Sequence, residues 1–390
     1  MNTIPALKLK PSGRHRILRG HPWVFGNEVE EVIASDSDLA HLYTSKGTLL
    51  GTGVYNPQSQ IVFRRLSRQM ITLDERFISE KIDQAIQHRR SLPLLSESKR
   101  MIWSEADGLP GLIVDSFPPY IVVQTLTKAM SNREELICRI LQERFLPQGI
   151  LLRNDAQVRT LEGLPIGKTI FSGIEPFQTE VQFGNIKFPV DLMQGHKTGF
   201  YLDQIENYTE IAKVAANRRV LDIFSYQGGF SLSALKAGAT SCLAIDQDAT
   251  ALERAKAAAV LNGVKLETQQ GNAFDLLRQY EQEGRNFDLI ILDPPSFTKN
   301  KANIESAMRG YHDLHVRAVK LLTPGGLLAT FCCSHNITAA EWEEMVSFAA
   351  SDVNTLLRFR KSFRQNPDHP IILQIPESSY LYGSLYEKIG

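Results

Sequence analysis

The segment "RRVLDIFSYQGGFSLSALKAGA", residues 218–239, decides the fold. It opens as an apolar strand, turns at the pair Gly228 and Gly229, and continues with the composition of a helix. A strand, a glycine turn and a helix in direct succession predict one unit of a parallel α/β sheet. In such a sheet, ligands bind beyond the carboxyl ends of the strands.

The chain after this segment keeps the same alternation. Residues 241–263 and 287–297 each open with an apolar strand, and residues 304–322 have a helical pattern. The turn "TPGG", residues 323–326, then leads into the strand "LLATFCC". Apolar strands alternating with helices indicate a parallel sheet covered on both faces. We therefore predict a Rossmann-like α/β domain over residues 189–390.

Two further domains are predicted upstream. Residues 1–72 hold short apolar stretches divided by Gly and Asn-Pro turn signals, which indicates a small β-rich domain. Residues 73–188 are predicted to form a central α+β domain, with paired strands on either side of Pro118-Pro119. Its helices are predicted from the spacing of Phe77, Ile78, Ile82 and Ile86, and from a capping pattern at Ser131 and Glu134 that leaves Cys138 in the core.

Composition excludes several classes of protein. The first fifteen residues lack the apolar core of a secretory signal, and no apolar run approaches the ~18 residues that span a membrane. The four cysteines have no CxxC or Cys/His ligand spacing. These features predict a reduced cytoplasmic protein without a structural metal site.

Charge is balanced overall but uneven along the chain. With 43 basic and 43 acidic residues, the formal net charge is zero, which gives no general attraction to nucleic acid. The basic residues include three clusters along the chain. Any one cluster is explained by a solvated face of the protein, but the three together predict a phosphate-binding surface. The clusters are Lys8, Lys10, Arg14, Arg16 and Arg19; Arg64, Arg65 and Arg68; and Arg358, Arg360, Lys361 and Arg364.

The strand ends carry the residues of a nucleotide-type cofactor site. Gly228 and Gly229 allow close backbone approach at a helix N-terminus, and Asp246, about twenty residues on, is placed to bind the hydroxyls of a ribose. Asp248 is better explained as a helix cap, whereas Asn272 can hydrogen-bond an adenine edge. Gly228-Gly229 alone is as well explained by a tight turn. The glycine turn, the acid for a ribose and the later Asp-Pro-Pro motif occur in the order expected of a cofactor site, and this order favours such a site over a simple turn.

The glycine turn also distinguishes between cofactors. A dinucleotide fold places G-x-G-x-x-G here, but this chain has Phe224 and Tyr226 at the first two glycine positions. Bulky residues suit a ligand without a pyrophosphate, such as S-adenosylmethionine. The pattern therefore favours a methyltransferase over a dehydrogenase.

Asp293-Pro-Pro follows a buried strand and is the first candidate for a catalytic motif. Proline fixes the backbone, so the Asp293 carboxylate is aimed by a stiff turn. This motif followed by an aromatic residue recurs where methyltransferases hold a planar base. The alternative is a strand-terminating turn with a solvated aspartate.

Cys332 and Cys333 close another predicted strand. Because side chains alternate along a strand, the two cysteines point opposite ways, so one packs in the core and the other faces the crevice. A thiolate is the natural nucleophile for C6 of a pyrimidine, and its addition makes C5 reactive toward a methyl group. Asp293 would support that step by hydrogen bonding at the N3 edge of the ring.

At these residues the sequence resembles the bacterial 23S rRNA 5-methylcytosine methyltransferases that carry an N-terminal PUA domain. The resemblance covers nearly the whole chain. It is carried by "GHPWVFGNEVE" and "GVYNPQSQIVFRRLS" in the PUA region, by "EADGLPGLIVDSFPPYIVVQ" and "LLRNDAQVRTLEGL" in the central region, and by "HKTGFYLDQ", "DIFSYQGGF", "DPPSF", "FCCSHN" and "DHPIILQIPESSYLYG" in the catalytic region.

The resemblance implies a class I methyltransferase fold with S-adenosylmethionine as cofactor, converted to S-adenosylhomocysteine. The family nucleophile matches Cys333, which leaves Cys332 as the packing cysteine. Where related RNA cytosine methyltransferases have a second cysteine, this chain has Ser296, so product release relies on Asp293, a water or another base. The predicted cofactor site comprises Asp203, Gln204, Asp222, Phe224, Ser225, Gly228, Gly229, Asp246, Asn272 and Asp293.

The resemblance also implies RNA contacts. A PUA domain binds RNA, so Lys10, Arg14, Arg16 and Arg19 become candidate phosphate contacts. The target base must leave its stack to reach the thiol. Phe297 and Tyr311 are candidate stacking surfaces for it, although core packing explains them equally well. The implied partner is 23S rRNA or an assembling large subunit, with no membrane, and family members can form homodimers.

Two other functions remain open at this point. One is methylation of a purine in rRNA, such as N7 of guanine, which needs no thiol. The other is a non-catalytic RNA-binding assembly factor that holds the cofactor. His196, His335 and His369 are interpreted as structural hydrogen bonders.

Overall fold

The computed structural model describes residues 4–33, 37–297, 303–334 and 336–389. The chain forms two compact units. Unit 1 comprises Met1–Val181, Val190–Leu202 and Pro367–Ser378, and unit 2 comprises Gln182–Pro189, Asp203–Asn366 and Ser379–Gly390. The domain boundaries predicted at residues 72 and 188 stay predictions.

Unit 1 begins with a mostly antiparallel sheet, in agreement with the predicted β-rich N-terminal region. Leu7, Val24, Leu42 and Phe63 form its core and are completely buried. Within the described residues the strand order is β2-β6-β5-β4-β1-β3. The strands are β1 (Ala6–Leu9), β2 (Trp23–Val24), β3 (Val29–Ile33), β4 (Leu39–Tyr43), β5 (Leu49–Tyr55) and β6 (Phe63–Ser67).

A second sheet and its neighbouring helices follow along the chain in unit 1. The predicted strand pair around Pro118-Pro119 is confirmed as an antiparallel pair of β8 and β9. The sheet has the order β11-β10-β9-β8-β7. Its elements are α1 (Glu75–Arg90), β7 (Lys99–Trp103), β8 (Leu112–Phe117), β9 (Tyr120–Thr125), α2 (Lys128–Ser131), α3 (Glu134–Phe145), β10 (Gly149–Asn154) and β11 (Gly167–Ser172).

The two main helices of this region follow their apolar periodicity. In α1, Ile78, Ile82 and Ile86 lie on the buried face, as predicted, and Cys138 is buried on α3. The predicted capping by Ser131 is wrong, because Ser131 ends the short helix α2 and α3 begins only at Glu134. A four-residue helix directly before α3 was not visible in the sequence pattern.

Unit 2 is built on a mixed sheet of the predicted Rossmann-like type, with the order β16-β15-β14-β17-β18-β20-β19. Strands β14 to β18 are mutually parallel, and β20 inserts antiparallel beside β18. A separate hairpin, β12 (Gln178–Phe183) and β13 (Ile186–Asp191), precedes this sheet along the chain and has residues in both units. The remaining elements are α4 (Ile205–Ala212), β14 (Arg219–Ile223), α5 (Gly229–Lys236), β15 (Ser241–Asp246), α6 (Ala249–Leu261), β16 (Glu267–Gln270), α7 (Ala273–Gln282), β17 (Phe287–Leu292), α8 (Ile304–Leu321), β18 (Leu322–Cys332), α9 (Ala339–Ser351), β19 (Leu356–Arg364) and β20 (Tyr382–Ile389).

The central strands of unit 2 are buried on both faces. Successive residues point to opposite faces of a strand, and Leu221 and Asp222 on β14, like Ile290 and Ile291 on β17, are all completely buried. Because β14 to β18 run parallel, their carboxyl ends meet at one edge of the sheet, and we call this the catalytic edge. All the strand-end motifs predicted from the sequence lie along it.

One local prediction in this sheet is wrong. Residues 323–326, "TPGG", were expected to form a turn before the strand, but they lie inside β18. The pairing of β17 with β18 shifts there, from Phe287 opposite Leu322 to Leu289 opposite Leu327. Residues 323–326 have no partner in this pairing and Gly325 has a positive φ of 74°, so the extra residues interrupt the ladder within the bounds of β18.

A buried ion pair in unit 1 is expected to dominate the stability of the second sheet. Asp115 is fully buried on β8 and accepts two hydrogen bonds from Arg100, of 2.8 and 2.7 Å, and one of 2.5 Å from Thr198. We expect Asp115→Asn to lower the free energy of unfolding by about 3–5 kcal/mol, because it leaves a buried guanidinium without its carboxylate. Chemical denaturation followed by circular dichroism measures this change.

The control for this prediction is an exposed ion pair. Glu80 pairs with Arg76 at 2.8 Å on the outer face of α1, where the two side chains are 57% and 87% exposed. Glu80→Gln is expected to change the free energy of unfolding by less than about 0.5 kcal/mol. Equal effects of the two substitutions would contradict the assigned role of the buried pair.

Candidate active site

The turn between β14 and α5 has a strained backbone. Phe224 and Tyr226 adopt positive φ angles of 65° and 48°, and Gly228, which precedes α5, has φ 77°. Bulky residues in the left-handed region cost roughly 1–3 kcal/mol each and persist mainly at functional sites. The sequence identified the turn but gave no signal for this strain at its two aromatic residues.

Gly229 has a packing role that the sequence did not reveal. A Cβ atom at this position would lie 2.4 Å from the ring of Tyr208 on α4. Its missing side chain is therefore required by packing of α4 against α5, and the prediction that Gly229 lets a cofactor approach the backbone stays a prediction. Gly228, in contrast, is required by its positive φ.

Asp222 and Ser225 supply buried oxygen atoms beside the turn. Asp222 is completely buried, and its Oδ2 accepts hydrogen bonds of 3.1 and 2.6 Å from the amide and hydroxyl of Ser231. Burial raises the pKa of the Asp222 carboxyl to about 7, against the lowering effect of the Ser231 hydrogen bonds. Within the described part of the chain, Asp222 Oδ1 and Ser225 Oγ have no hydrogen-bond partner. Buried polar atoms are normally satisfied, so these oxygens fit the polar groups of a bound ligand.

Asp246 lies at the carboxyl end of β15, where an acid was predicted for a ribose. Its Oδ2 accepts a 2.9 Å hydrogen bond from the amide of Tyr226, and its Oδ1 accepts one of 2.9 Å from the amide of Asp248. The carboxylate is partly exposed and has further lone pairs for ligand hydroxyls. Asp248 caps α6 through the amides of Thr250 and Ala251, as predicted.

Asn272 follows β16 at the same edge but is engaged in capping. Its Oδ1 accepts a 2.9 Å hydrogen bond from the amide of Phe274 at the start of α7. The expectation that it reads an adenine edge stays a prediction.

Asp203 and Gln204 are both buried, and Gln204 reaches the Asp-Pro-Pro motif. Gln204 Nε2 donates a 2.9 Å hydrogen bond to Asp293 Oδ2, and Asn207 Nδ2 donates one of 2.7 Å to Gln204 Oε1. Asp203 Oδ2 accepts a 2.7 Å hydrogen bond from the hydroxyl of Tyr380. In this geometry Gln204 holds the carboxyl of Asp293, and the predicted contacts of Asp203 and Gln204 with the cofactor stay predictions.

Two of these partners were missed by sequence reasoning. Asn207 lies three residues after Gln204, and that helical spacing is a signal that could have found it. Tyr380 is 177 residues away from Asp203, and no local pattern connects the two.

The two cysteines separate as the strand alternation predicts. Cys332 is 1% exposed and packs in the core cluster that contains Trp342 and Tyr382, and burial raises the pKa of its thiol. Cys333 follows the end of β18 and is partly exposed, with its Sγ 3.9 Å from the carbonyl oxygen of Pro294. The thiol of Cys333 therefore lies beside the Asp-Pro-Pro turn at the catalytic edge.

Of the two candidate stacking residues, Tyr311 is excluded. It is 1% exposed, its ring stacks on Phe297 at 4.3 Å, and its hydroxyl bonds the amide of Phe297 and the carbonyl of Pro295. The prediction that Tyr311 stacks on a base is therefore wrong, because its ring is committed to fixing the turn. Phe297 is partly exposed and stays a candidate.

The basic clusters in unit 1 are only partly available to a polyanion. Lys10, Arg14 and Arg19 are exposed, whereas Arg16 pairs with Glu377 at 2.8 Å. The second cluster is largely structural, because Arg64 pairs with Glu105 and Glu162 and Arg65 donates to backbone carbonyls. Including these two arginines in a phosphate-binding surface was wrong.

The histidine predictions have mixed outcomes. His369 is 2% exposed and its Nδ1 lies 2.7 Å from Asp368 Oδ1, which agrees with a structural role. His335 lies outside the described residues, and the role of His196 stays a prediction.

The sheet order, the strained turn after its central strand and the acid at the next strand end define a class I S-adenosylmethionine-dependent methyltransferase. A profile of the S-adenosylmethionine-dependent methyltransferase family matches residues 166–373, and a PUA-like domain profile matches residues 7–68. The chain belongs to this methyltransferase family.

Curated relatives place the chain more closely. It is 35% identical over 388 residues to the ribosomal RNA large subunit methyltransferase I of Klebsiella pneumoniae (strain 342), with 97% of each chain covered. It is 36% identical over 381 residues to the protein of that name from Enterobacter sp. (strain 638), with 95% of this chain and 96% of the other covered. The chain is therefore a member of the family of these PUA-containing large-subunit rRNA methyltransferases.

Solved structures agree on the fold over the full length. A protein described as a methyltransferase and crystallised with SAH matches with a TM-score of 0.86 at 20% identity, covering 99% of this chain and all of the other. A SAM-dependent methyltransferase from Streptococcus mutans matches with a TM-score of 0.84 at 19% identity and the same coverage. At this identity the likeness concerns the fold.

The cofactor of this family, S-adenosylmethionine, fits the residues of the turn. The unsatisfied oxygens of Asp222 and Ser225 and the partly exposed carboxylate of Asp246 offer acceptors for its amino and hydroxyl groups. Among the described residues, no helix is long and apolar enough to cross a membrane.

If Asp246 binds the ribose as predicted, Asp246→Asn is expected to weaken binding of S-adenosylhomocysteine by at least roughly tenfold, because the carboxylate that also accepts from the amides of Tyr226 and Asp248 becomes neutral. Isothermal titration calorimetry measures the dissociation constant. Asp248→Asn is the matched control, since asparagine caps helices as well as aspartate does, and it should stay within about twofold of the parent. Equal losses in both variants would contradict a ligand role for Asp246.

Proposed function

We propose that this protein transfers a methyl group from S-adenosylmethionine to C5 of a cytosine in 23S rRNA, with Cys333 as the nucleophile. The observation that carries this proposal is the partly exposed Cys333 thiol, 3.9 Å from the carbonyl of Pro294 in the Asp-Pro-Pro turn. The names of the curated relatives support a large-subunit rRNA substrate. Such a substrate would make the enzyme cytoplasmic.

Cys333 performs the first chemical step in this proposal. Its thiolate forms a bond to C6 of the flipped cytosine, and the electron pair of the C5–C6 double bond shifts toward N3. This makes C5 enamine-like and nucleophilic. S-adenosylmethionine supplies the electrophilic methyl group that C5 then takes up. A base, which is Asp293, a water or another group, takes the C5 proton, and the electron pair of that C–H bond re-forms the C5–C6 double bond and expels the Cys333 thiolate.

Asp293 holds the pyrimidine edge during addition. When it carries a proton, its carboxyl can donate to N3, which offsets the negative charge that develops there. Gln204 fixes Asp293 through the 2.9 Å hydrogen bond to Oδ2, and Asn207 fixes Gln204 in turn. This chain of hydrogen bonds restricts the rotation of the carboxyl before the base arrives, which reduces the entropy lost in the reaction.

The PUA-like domain supplies sequence-independent RNA contacts in this proposal. Lys10, Arg14 and Arg19 are exposed and suited to phosphate groups, which position an RNA without reading its bases. Phe297 offers a partly exposed aromatic edge near the catalytic turn for an unstacked base. Pairing of two copies of the chain, as a homodimer, is not required for any of these contacts.

The test is mass-spectrometric mapping of 23S rRNA from cells with and without the gene, with the modified atom identified. The proposal expects one 5-methylcytosine to disappear on deletion and to return with the wild-type gene but not with Cys333→Ala. A missing methylated guanine would instead indicate a purine methyltransferase. Unchanged rRNA modification in cells and no methyl transfer in vitro would indicate a non-catalytic factor.

A further inference from the structure

A pocket in unit 2 lies away from the catalytic edge. It has a volume of about 310 Å³, and its floor includes Leu327 on β18 and Leu385 on β20. Its rim carries Lys213 after α4, Arg218 before β14, Arg360 on β19 and Glu387 on β20. Side chains from four separate parts of the fold therefore converge on one depression.

A bulge in the edge strand β19 adds cations to this rim. Arg358 pairs opposite Glu387 and Lys361 opposite Leu385 on β20, so Arg360 is an extra residue between them. Residues directly opposite each other in an antiparallel pair share a face of the sheet. Arg358 and Lys361 thus face the pocket side, and Arg360, re-aimed by the bulge, joins them in its lining.

The charges in this region are not balanced. Arg358 and Arg360 share one oxygen of Glu387, at 3.3 and 3.5 Å, and Lys213 and Lys361 share the carboxylate of Glu210, each at 2.5 Å. Five basic against two acidic side chains leave an excess of three positive charges. We call the five basic residues the basic patch: Lys213, Arg218, Arg358, Arg360 and Lys361.

Four of the five cations of the basic patch are accessible to a ligand, whereas Arg218 is partly buried and donates a 3.1 Å hydrogen bond to the carbonyl of Asp288. Lys213, Arg358 and Arg360 are 62%, 57% and 53% exposed, and Lys361 is 47% exposed. Ion pairs at such exposure are worth little, so exchanging a shared carboxylate for a phosphate costs little. Arginine also binds phosphate with a bidentate geometry that favours this exchange.

The basic patch is separate from the cofactor site. Leu327 lies five residues before Cys332 on β18, which corresponds to about 17 Å along the strand. Charged side chains often protect an edge strand from aggregation. That role accounts for β19 but not for Lys213 and Arg218, which reach the same pocket from outside the edge strand.

We propose that the basic patch binds the sugar-phosphate backbone of the RNA substrate at a point remote from the target base. This inference rests on the proposed function, which makes RNA the substrate. A polyanion longer than the catalytic crevice can contact both regions, and phosphate contacts add affinity without sequence preference. The patch therefore increases affinity for RNA and leaves the chemical step unchanged.

The test compares two double variants in binding to a fluorescein-labelled single-stranded oligocytidylate at several salt concentrations. Arg358→Gln with Arg360→Gln should weaken binding roughly tenfold and reduce the slope of log K against log salt by about 1.4, which is two single-strand phosphate contacts. The control, Arg76→Gln with Lys256→Gln, removes two exposed, ion-paired cations elsewhere and should change neither quantity. Arg358→Lys with Arg360→Lys keeps the charge and should keep most of the slope.

The Arg358/Arg360 glutamine variant could bind the oligocytidylate with the affinity and salt slope of wild type, while wild-type protein still methylates rRNA. That result would overturn the RNA-binding role of the basic patch and leave the proposed function intact. Equal loss of affinity in the Arg358/Arg360 and the Arg76/Lys256 glutamine variants would also overturn this role. The loss would then follow from the lower net charge of the protein and not from the position of the two arginines. If wild-type protein binds the oligocytidylate through the patch but makes no 5-methylcytosine, the proposed function fails and the patch stands.

Discussion

Cys333→Ala is expected to lower the rate of methyl transfer by roughly 10⁴-fold or more, since it removes the only proposed route to an activated C5. Binding of S-adenosylhomocysteine should stay within about twofold, because the thiol lies beside the Asp-Pro-Pro turn and not in the glycine turn. Transfer of tritiated methyl to 23S rRNA from a deletion strain, together with calorimetry, measures both quantities.

The matched control is the neighbouring cysteine. Cys332 is buried among core side chains, so Cys332→Ala should cost about 1 kcal/mol of stability and leave the transfer rate within a few-fold of wild type. Comparable activity in Cys333→Ala and wild type would contradict the nucleophile and favour methylation of a purine.

The second large effect concerns Asp293. Asp293→Asn keeps the shape of the side chain and an acceptor for Gln204, but it cannot carry or release a proton at the base. We expect kcat to fall about 10²–10⁴-fold with little change in KM for RNA. Single-turnover kinetics with saturating cofactor measures the chemical step directly.

Gln204 provides an independent check on this assignment. Gln204→Leu removes the hydrogen bond that orients the Asp293 carboxyl, so it should lower kcat by roughly tenfold while leaving Asp293 itself in place. An Asp293→Asn variant with kcat within twofold of wild type would show that the carboxyl takes no part in the reaction.

The sequence was informative where structure depends on local pattern. Helix α1 follows from the spacing of three isoleucines, and the catalytic edge follows from apolar strands that each end in a polar motif. Separation of the two cysteines also follows from the two-residue period of a strand. Each of these features is decided within a few residues, so a single chain is sufficient to predict it.

The features that the sequence did not reveal depend on contacts between distant residues. The hydroxyl of Tyr380 reaches Asp203 across 177 positions, and the ring of Tyr208 that packs against Gly229 lies on a different helix. Tyr311 illustrates a second limit of sequence-based prediction. The residue type alone does not show whether an aromatic side chain near this turn stacks on a base or packs in the core, and Tyr311 packs in the core. The bulge at Arg360 depends on how β19 pairs with β20, and the residue types of β19 alone do not predict that pairing.

The most direct test is mass spectrometry of the protein after incubation with S-adenosylmethionine and an RNA substrate containing 5-fluorocytidine. Fluorine at C5 leaves no proton to remove after methylation, so the thioether between Sγ and C6 cannot be released. We expect one peptide, containing Cys333, to carry the methylated nucleotide. Methylation without any adduct, or an adduct on another residue, would contradict the covalent role of Cys333.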